Sequence, residues 1–283
     1  MTTIAVRNDT TDVTDALPPH SADCHAHVIR TDLPLVSERH SQPAHDALVE
    51  DYLSILTAHG VQYGLLTAPS FYGPNNDVLI DALRKSSGRL RGTAIVDPDV
   101  SEATLASLQS EGVCGIRLNW IKRQSIPDIQ SREYQGLLAK AKNLGLHIEV
   151  YLEGEHLPPV LAAINASGAR AVIDHFGHPD GADGIHSEGF RALLNALEAG
   201  NTWVKLSAPY RLRGSQASAL AAKIIEQCNG ERAIWGTDWP WISHEGQCTY
   251  AQCIASLFEC VPDEKIRNRI LTKNAHEIFG FGL

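Results

Sequence analysis

A chain of 283 residues, 43% hydrophobic and 20% charged, has the balance of a globular protein, and none of its apolar runs approaches the ~18 residues of a membrane span. Its formal charge of −9 disfavours nucleic acid or an anionic membrane as a partner, because both demand a basic face. An anionic substrate would therefore need local arginines working against the global field.

The first twenty residues, MTTIAVRNDTTDVTDALPPH, are polar and lack an apolar stretch of signal-peptide length. They are expected to form a flexible arm, residues 1–20, ahead of a single domain spanning 21–283. Six cysteines without a CxxC pair agree with a reducing, cytoplasmic setting.

From residue 22 onward a two-part unit repeats, a short apolar or β-branched run followed by a helical pattern. The runs are ADCHAHV near 22, QYGLLTAP near 62, LRGTAIVDP near 90, CGIRLNW near 114, HIEVYLEG near 147, ARAVIDHFG near 169, TWVKLSAP near 202 and RAIWGTDWP near 232. Helical segments between them, such as DALVEDYLSILTAHG, EYQGLLAKAKNLG, FRALLNALEAG and ASALAAKIIEQCNG, carry the glycine expected just after a helix C-terminus. This alternation predicts parallel strands closed into a (β/α)8 TIM barrel. An open doubly wound sheet fits less well, since neither GxGxxG after the first strand nor GxxxxGK[ST] occurs. The tail PDEKIRNRILTKNAHEIFGFGL reads as one additional C-terminal helix and a turn on the barrel exterior.

Functional residues of such a barrel stand at the C-terminal ends of its strands. Strand one offers His25 and His27, two apart and so on one face. Strand four offers Arg117, followed by Asn119, Lys122 and Arg123. Strand five offers Tyr151 and Glu153, strand six Asp174 and His175, strand seven Arg211, and strand eight Asp238 within WGTDWP. A single histidine at a strand end is more often structural than catalytic. Three histidines and an aspartate converging at one mouth favour a site. Lys122 and Glu153 are expected to be structural or solvated. His178, His186 and His244 either line the mouth or face water, and Asp97, Asn119 and Asn76 are candidates for hydrogen bonds there. Arg213 is expected to pair with helix acids outside the barrel.

The segments DCHAH, GIRLNWIKR, VYLEG, DHFGHPD, LSAPYRL and WGTDWP resemble the signature segments of the amidohydrolase superfamily, and within it most resemble the 2-pyrone-4,6-dicarboxylate lactonase branch, from about residue 21 to the C-terminus. The resemblance implies the distorted barrel of that superfamily and a water attack on a lactone carbonyl. Asp238 would act as general base and later as proton donor. His25, His27 and His175 would polarise the carbonyl and stabilise the oxyanion. Arg117, Arg123 and Arg211 match the branch's carboxylate-binding arginines, with Tyr151 lining the same pocket. Three arginines aimed into one cavity would also repel one another unless an anion or acidic side chains balanced them.

The resemblance also frames the metal question. Metal-dependent relatives add a strand-five ligand where Tyr151 stands here, so no cofactor is expected. The alternative is one zinc on His25, His27, His175 and Asp238. A binuclear centre would need a bridging residue on strand four, for which Arg117 is no substitute. Ser41 appears where the branch has a tyrosine, and APSFYGPNN differs in the second-strand loop, with Tyr72 a candidate to fill the space. Other readings therefore stay open: a lactone isomerase, a muconolactone-type hydrolase, a zinc-dependent decarboxylase, or a carrier or sensor of a dicarboxylate. Against the carrier stands Asp238, a carboxylate that would oppose an anionic ligand unless it had a catalytic duty.

Overall fold

A computed structural model of the protein describes residues 17–179, 181, 183–212 and 216–282. Arg213 and the first sixteen residues of the expected arm lie outside the described residues. Eight strands, β1 (Ala22–Ala26), β2 (Tyr63–Thr67), β3 (Leu90–Ala94), β4 (Val113–Asn119), β5 (His147–Tyr151), β6 (Ala171–Ile173), β7 (Thr202–Ser207) and β8 (Ala233–Gly236), pair in parallel in sequential order. The seam between β8 and β1 is held by the Asp238 N–H on the His25 carbonyl and the His27 N–H on the Trp239 carbonyl, both at 2.8 Å. Asp23 stitches the same seam, its carboxylate accepting from the Thr237 N–H at 2.9 Å and hydroxyl at 2.6 Å. The expected (β/α)8 barrel is the observed fold.

The strands read as near-continuous apolar runs because both of their faces are covered, one by the barrel interior and one by helices. The outer layer comprises α1 (Val49–Ala58), α2 (Asp77–Lys85), α3 (Glu102–Ser110), α4 (Arg132–Leu144), α5 (Leu157–Ser167), α6 (Glu188–Ala199), α7 (Ala217–Cys228) and α8 (Tyr250–Cys260). Ser101, Ser131, Ser187 and Thr249 start α3, α4, α6 and α8 by accepting a first-turn N–H. Left-handed glycines, Gly145 and Gly200, end α4 and α6 as expected. At α1 and α7 the expected glycine falls one residue later, behind His59 and the left-handed Asn229.

The C-terminal tail departs from the single helix expected. It forms α9 (Glu264–Leu271) and α10 (Lys273–Phe279), broken at Thr272. Ile278, Phe279 and Phe281 pack with Cys24, Tyr63, Leu65 and Trp203 into a hydrophobic cluster that plugs the N-terminal end of the barrel. Cys24 joins this cluster while the next residue, His25, reaches Lys205 in the interior. Consecutive residues can both serve the inside because the β1–β2 register shifts between Asp23 and Ala26. None of the described helices is long and apolar enough to cross a membrane.

Candidate active site

The C-terminal mouth gathers side chains from five strands. His25, next to last in β1, and His27, just beyond that strand, have ring centroids 5.0 Å apart; the His25 and His175 rings are 4.7 Å apart. Asp238 Oδ1 lies 3.3 Å from His27 Nε2 and 3.5 Å from His25 Nε2. Tyr151, at the end of β5, sets its ring edge-on to His175 at 4.8 Å. His175, Ala208 and Asp238 adopt left-handed backbone with φ of 51°, 49° and 63°. Such conformations cost about 1–3 kcal/mol each and persist where the surroundings enforce them.

Asp238 is the electrostatic focus. Its Oδ2 accepts from Tyr210 Oη at 2.6 Å and Arg211 Nε at 2.7 Å, while Arg211 Nη2 donates to the Ile242 carbonyl at 3.1 Å. Burial opposes ionisation, yet the Arg211 guanidinium beside it holds the carboxyl well below the usual carboxylate range. The Asp238 charge is thus already paired, which weakens the inference from sequence that it must oppose an anionic ligand. Burial also pushes His25 down to about 4, assisted by Lys205, and takes His175 well below its ordinary value. Both rings are neutral at pH 7.

Beneath the histidines lies a cluster of which sequence reading named half. Arg117 on β4, Glu149 on β5, Asp174 after β6 and Lys205 on β7 are all buried. Lys205 Nζ lies 2.6 Å from Glu149 Oε2 and 3.1 Å from Asp174 Oδ1. Arg117 Nη2 donates to Asp174 Oδ2 at 3.0 Å, Nη1 donates to the Ala68 carbonyl at 2.9 Å, and Nε is 3.4 Å from Glu149 Oε1. Two cations face two anions, so the protein's own acids already balance Arg117. Arg117 and Asp174 were singled out from sequence, whereas Glu149 and Lys205 were not. The available signal was parity: Lys205 shares the face of Ser207, and Glu149 that of Tyr151.

The other predicted residues scatter more widely. Arg123 is exposed on the loop after β4. The Lys122 N–H donates to Glu153 Oε1 at 2.7 Å, a structural tie between the loops after β4 and β5. Asn76 brackets Ile95, accepting from its N–H and donating to its carbonyl. Tyr72 pins the first two loops together, donating to the Arg30 carbonyl at 2.6 Å and accepting from the Arg30 N–H at 2.9 Å. His244 packs on Tyr210 at 4.9 Å. Sequence reading missed Tyr210 and His40, whose ring lies 6.5 Å from Tyr151 over the mouth. Asn119 Oδ1 and His25 Nε2 are buried there without a hydrogen-bond partner among the described residues. A separate cavity of about 310 Å³, lined by Arg91, Cys114, Arg170 and Phe279, contains none of these groups.

Among the described residues, two buried groups have the residue types to hold a metal, His25 with His27 and Asp238, and His25 with Asp174 and His175. Donor chemistry decides whether they fit. His27 Nδ1 donates to the Thr67 carbonyl at 2.7 Å, which leaves Nε2 a lone pair facing the mouth, as a ligand requires. His25 Nδ1 instead meets the Lys205 ammonium at 3.0 Å, and Asp174 is engaged by Arg117 and Lys205. Neither group offers three free lone pairs, so the residues as arranged do not fit a metal ion.

A parallel barrel with an H-x-H pair on its first strand and an aspartate after its last defines an amidohydrolase-type enzyme. The amidohydrolase family model matches residues 22–281, and the chain belongs to that family. It is 32% identical over 242 residues to a 2-pyrone-4,6-dicarboxylate hydrolase of Comamonas testosteroni, covering 79% of this chain and 78% of that one. It is 26% identical over 278 residues to a 4-sulfomuconolactone hydrolase of Hydrogenophaga intermedia, covering 93% and 90%. A crystal structure from Pseudomonas putida, provisionally assigned as a 2-pyrone-4,6-dicarboxylic acid hydrolase, superposes with a TM-score of 0.87 at 36% identity, covering 94% of this chain and 100% of that one.

Proposed function

We propose that the protein is a cytoplasmic hydrolase that opens a small carboxylated lactone, 2-pyrone-4,6-dicarboxylate or a near relative, within one catalytic domain spanning 21–283. The observation that carries this reading is the buried triangle of His25, His27 and Asp238 at the mouth, with Arg211 poised on the aspartate, in a chain whose relatives include lactone hydrolases.

A water lodged beside Asp238 Oδ1 attacks the lactone carbonyl while Asp238 takes its proton. His25 and His175 direct neutral imidazoles at the carbonyl oxygen and stabilise the tetrahedral oxyanion, and His27, accepting at Nε2, orients the water. Collapse breaks the ring C–O bond, and Asp238 returns the proton to the departing enol oxygen. Arg211 and Arg123 bind the substrate carboxylates. Arg117 and Tyr151 shape the wall they lean on, with Arg117 holding a guanidinium behind the ring. No metal takes part in this reading, in keeping with the donor pattern around His25.

The test is hydrolysis of 2-pyrone-4,6-dicarboxylate by chelator-treated enzyme of measured metal content, followed by loss of pyrone absorbance. Turnover without metal is expected. Turnover that appears only when zinc is restored would replace histidine activation by metal activation. No turnover in either state would move the substrate to other lactones or the reaction to lactone isomerisation or decarboxylation.

A further inference from the structure

Lys205 is wholly buried in the middle of β7 and takes no part in the chemistry just described. An ammonium has three N–H donors and no acceptor. Three acceptors surround this one: Glu149 Oε2 at 2.6 Å, His25 Nδ1 at 3.0 Å and Asp174 Oδ1 at 3.1 Å. With Arg117 it balances the two carboxylates, and losing its proton would leave two buried anions against one guanidinium. Burial opposes the charge, but Asp174 and Glu149 outweigh it and raise Lys205 above its ordinary value.

We propose that Lys205 is a positioning residue that fixes the tautomer of His25: by donating to Nδ1 it obliges the neutral ring to carry its single proton on Nε2, pointed into the mouth. Asp174 Oδ1 competes for the same nitrogen at 3.2 Å, but Lys205 Nζ is nearer, at 3.0 Å with hydrogen-bond geometry, and itself holds Asp174 Oδ1 at 3.1 Å. His25 Nε2 is otherwise unpartnered and buried, 3.5 Å from Asp238 Oδ1.

The tautomer separates two chemistries on one scaffold. With the proton on Nε2, His25 is a hydrogen-bond donor to a developing oxyanion. With the proton on Nδ1, it would present a lone pair suited to a metal. His27 already has the second arrangement, because its Nδ1 donates to a carbonyl. Lys205 therefore makes the two neighbouring histidines unlike each other, one a donor and one an acceptor. This inference gives the proposed hydrolysis its electrophile and so rests on that reading, but its first test needs no substrate.

Long-range ¹H–¹⁵N correlation spectra of the folded, metal-free protein at pH 7, with His25 assigned by comparison with His25→Gln, read the tautomer directly. A pyrrole-type Nε2 and pyridine-type Nδ1 are expected at His25, with the reverse at His27. A protonated Nδ1 at His25 would overturn the proposal whatever the enzyme hydrolyses. Lys205→Met alone leaves buried carboxylates uncompensated, so the functional variant is Lys205→Met with Glu149→Gln. There the His25 proton should move to Nδ1 on Asp174, zinc should bind where the wild type binds none, and metal-free kcat should fall about 10²–10³-fold, the usual effect of losing one oxyanion donor. An unchanged tautomer in that folded double variant would equally overturn the role of Lys205. If the double variant does not fold, the wild-type spectrum decides alone.

Discussion

Replacing Asp238 by asparagine separates its charge from its shape. The amide oxygen can still accept from Tyr210 and Arg211, which hold Oδ2 at 2.6 and 2.7 Å, while the amide nitrogen falls where Oδ1 now faces His27 Nε2 at 3.3 Å. The fold of the mouth is therefore kept and the base is lost. A positioned general base contributes about 10²–10⁴ in rate, or about 3–5 kcal/mol at 1.36 kcal/mol per decade. Binding should move the other way. A carboxylate of the substrate seated on Arg211 would lie ~6 Å from the Asp238 charge, a repulsion of at most about 3 kcal/mol at an effective dielectric of ~20. Asp238→Asn should therefore lower kcat at least 100-fold while an unreactive dicarboxylate binds more tightly. Pyrone absorbance gives the first quantity and titration calorimetry the second. A variant that keeps more than a tenth of wild-type kcat, or binds the dicarboxylate more weakly, would refute the assignment of Asp238 as base facing an anion.

Arg211→Met removes a charge-assisted partner worth about 1.5–3 kcal/mol, so KM should rise roughly 10- to 150-fold. With the guanidinium gone the Asp238 carboxyl rises toward its ordinary range, and the acid limb of kcat/KM should shift to higher pH; an unshifted limb with unchanged KM would remove Arg211 from the site. Gly236→Ala would place a Cβ 2.6 Å from His25 Cβ and 2.7 Å from its nitrogen. Overpacking of this kind costs about 1–3 kcal/mol, so both Tm and kcat should drop, and a variant with wild-type values would show that the seam tolerates displacement. Acid stability tests the buried charges. Burial holds His25 at about 4 in the folded protein, so the unfolded chain takes up the proton first and stability is lost as pH falls from 6.5 to 4, by about 3 kcal/mol. Burial raises Asp23 to about 6, so the folded state binds that proton first and gains a similar amount as pH falls from 6 to 3.8. Asp23→Asn removes the offset, and urea unfolding between pH 7 and 4.5 should show a steeper acid loss than in wild type; equal slopes would contradict the opposed shifts.

Strand and helix order was legible because each local choice agreed with the barrel: apolar runs buried on both faces, and glycines at or just beyond helix ends. The break at Thr272 was not, since EKIRNRILTKNAHEIF reads as one helical pattern and only the need to fold Phe279 and Phe281 under the barrel divides it. At the mouth, His25, His27, His175 and Asp238 could be grouped from their strand-end positions, because a parallel barrel brings every such end to one side. The arginines were harder. Sequence placed Arg117, Arg123 and Arg211 alike, whereas one is locked in a buried ion cluster, one is exposed, and one is paired with Asp238.

By itself, then, the sequence determined the barrel and the identity of the residues at its mouth, because periodicity and strand parity are local properties of the chain. Which partner each of those residues meets was decided only by the tertiary structure. Lys205 and His25 are 180 residues apart, and Arg117 meets Asp174 across 57. Charges so distant along the chain are paired by closure of the barrel, in whose dry interior an unpaired ion would be costly.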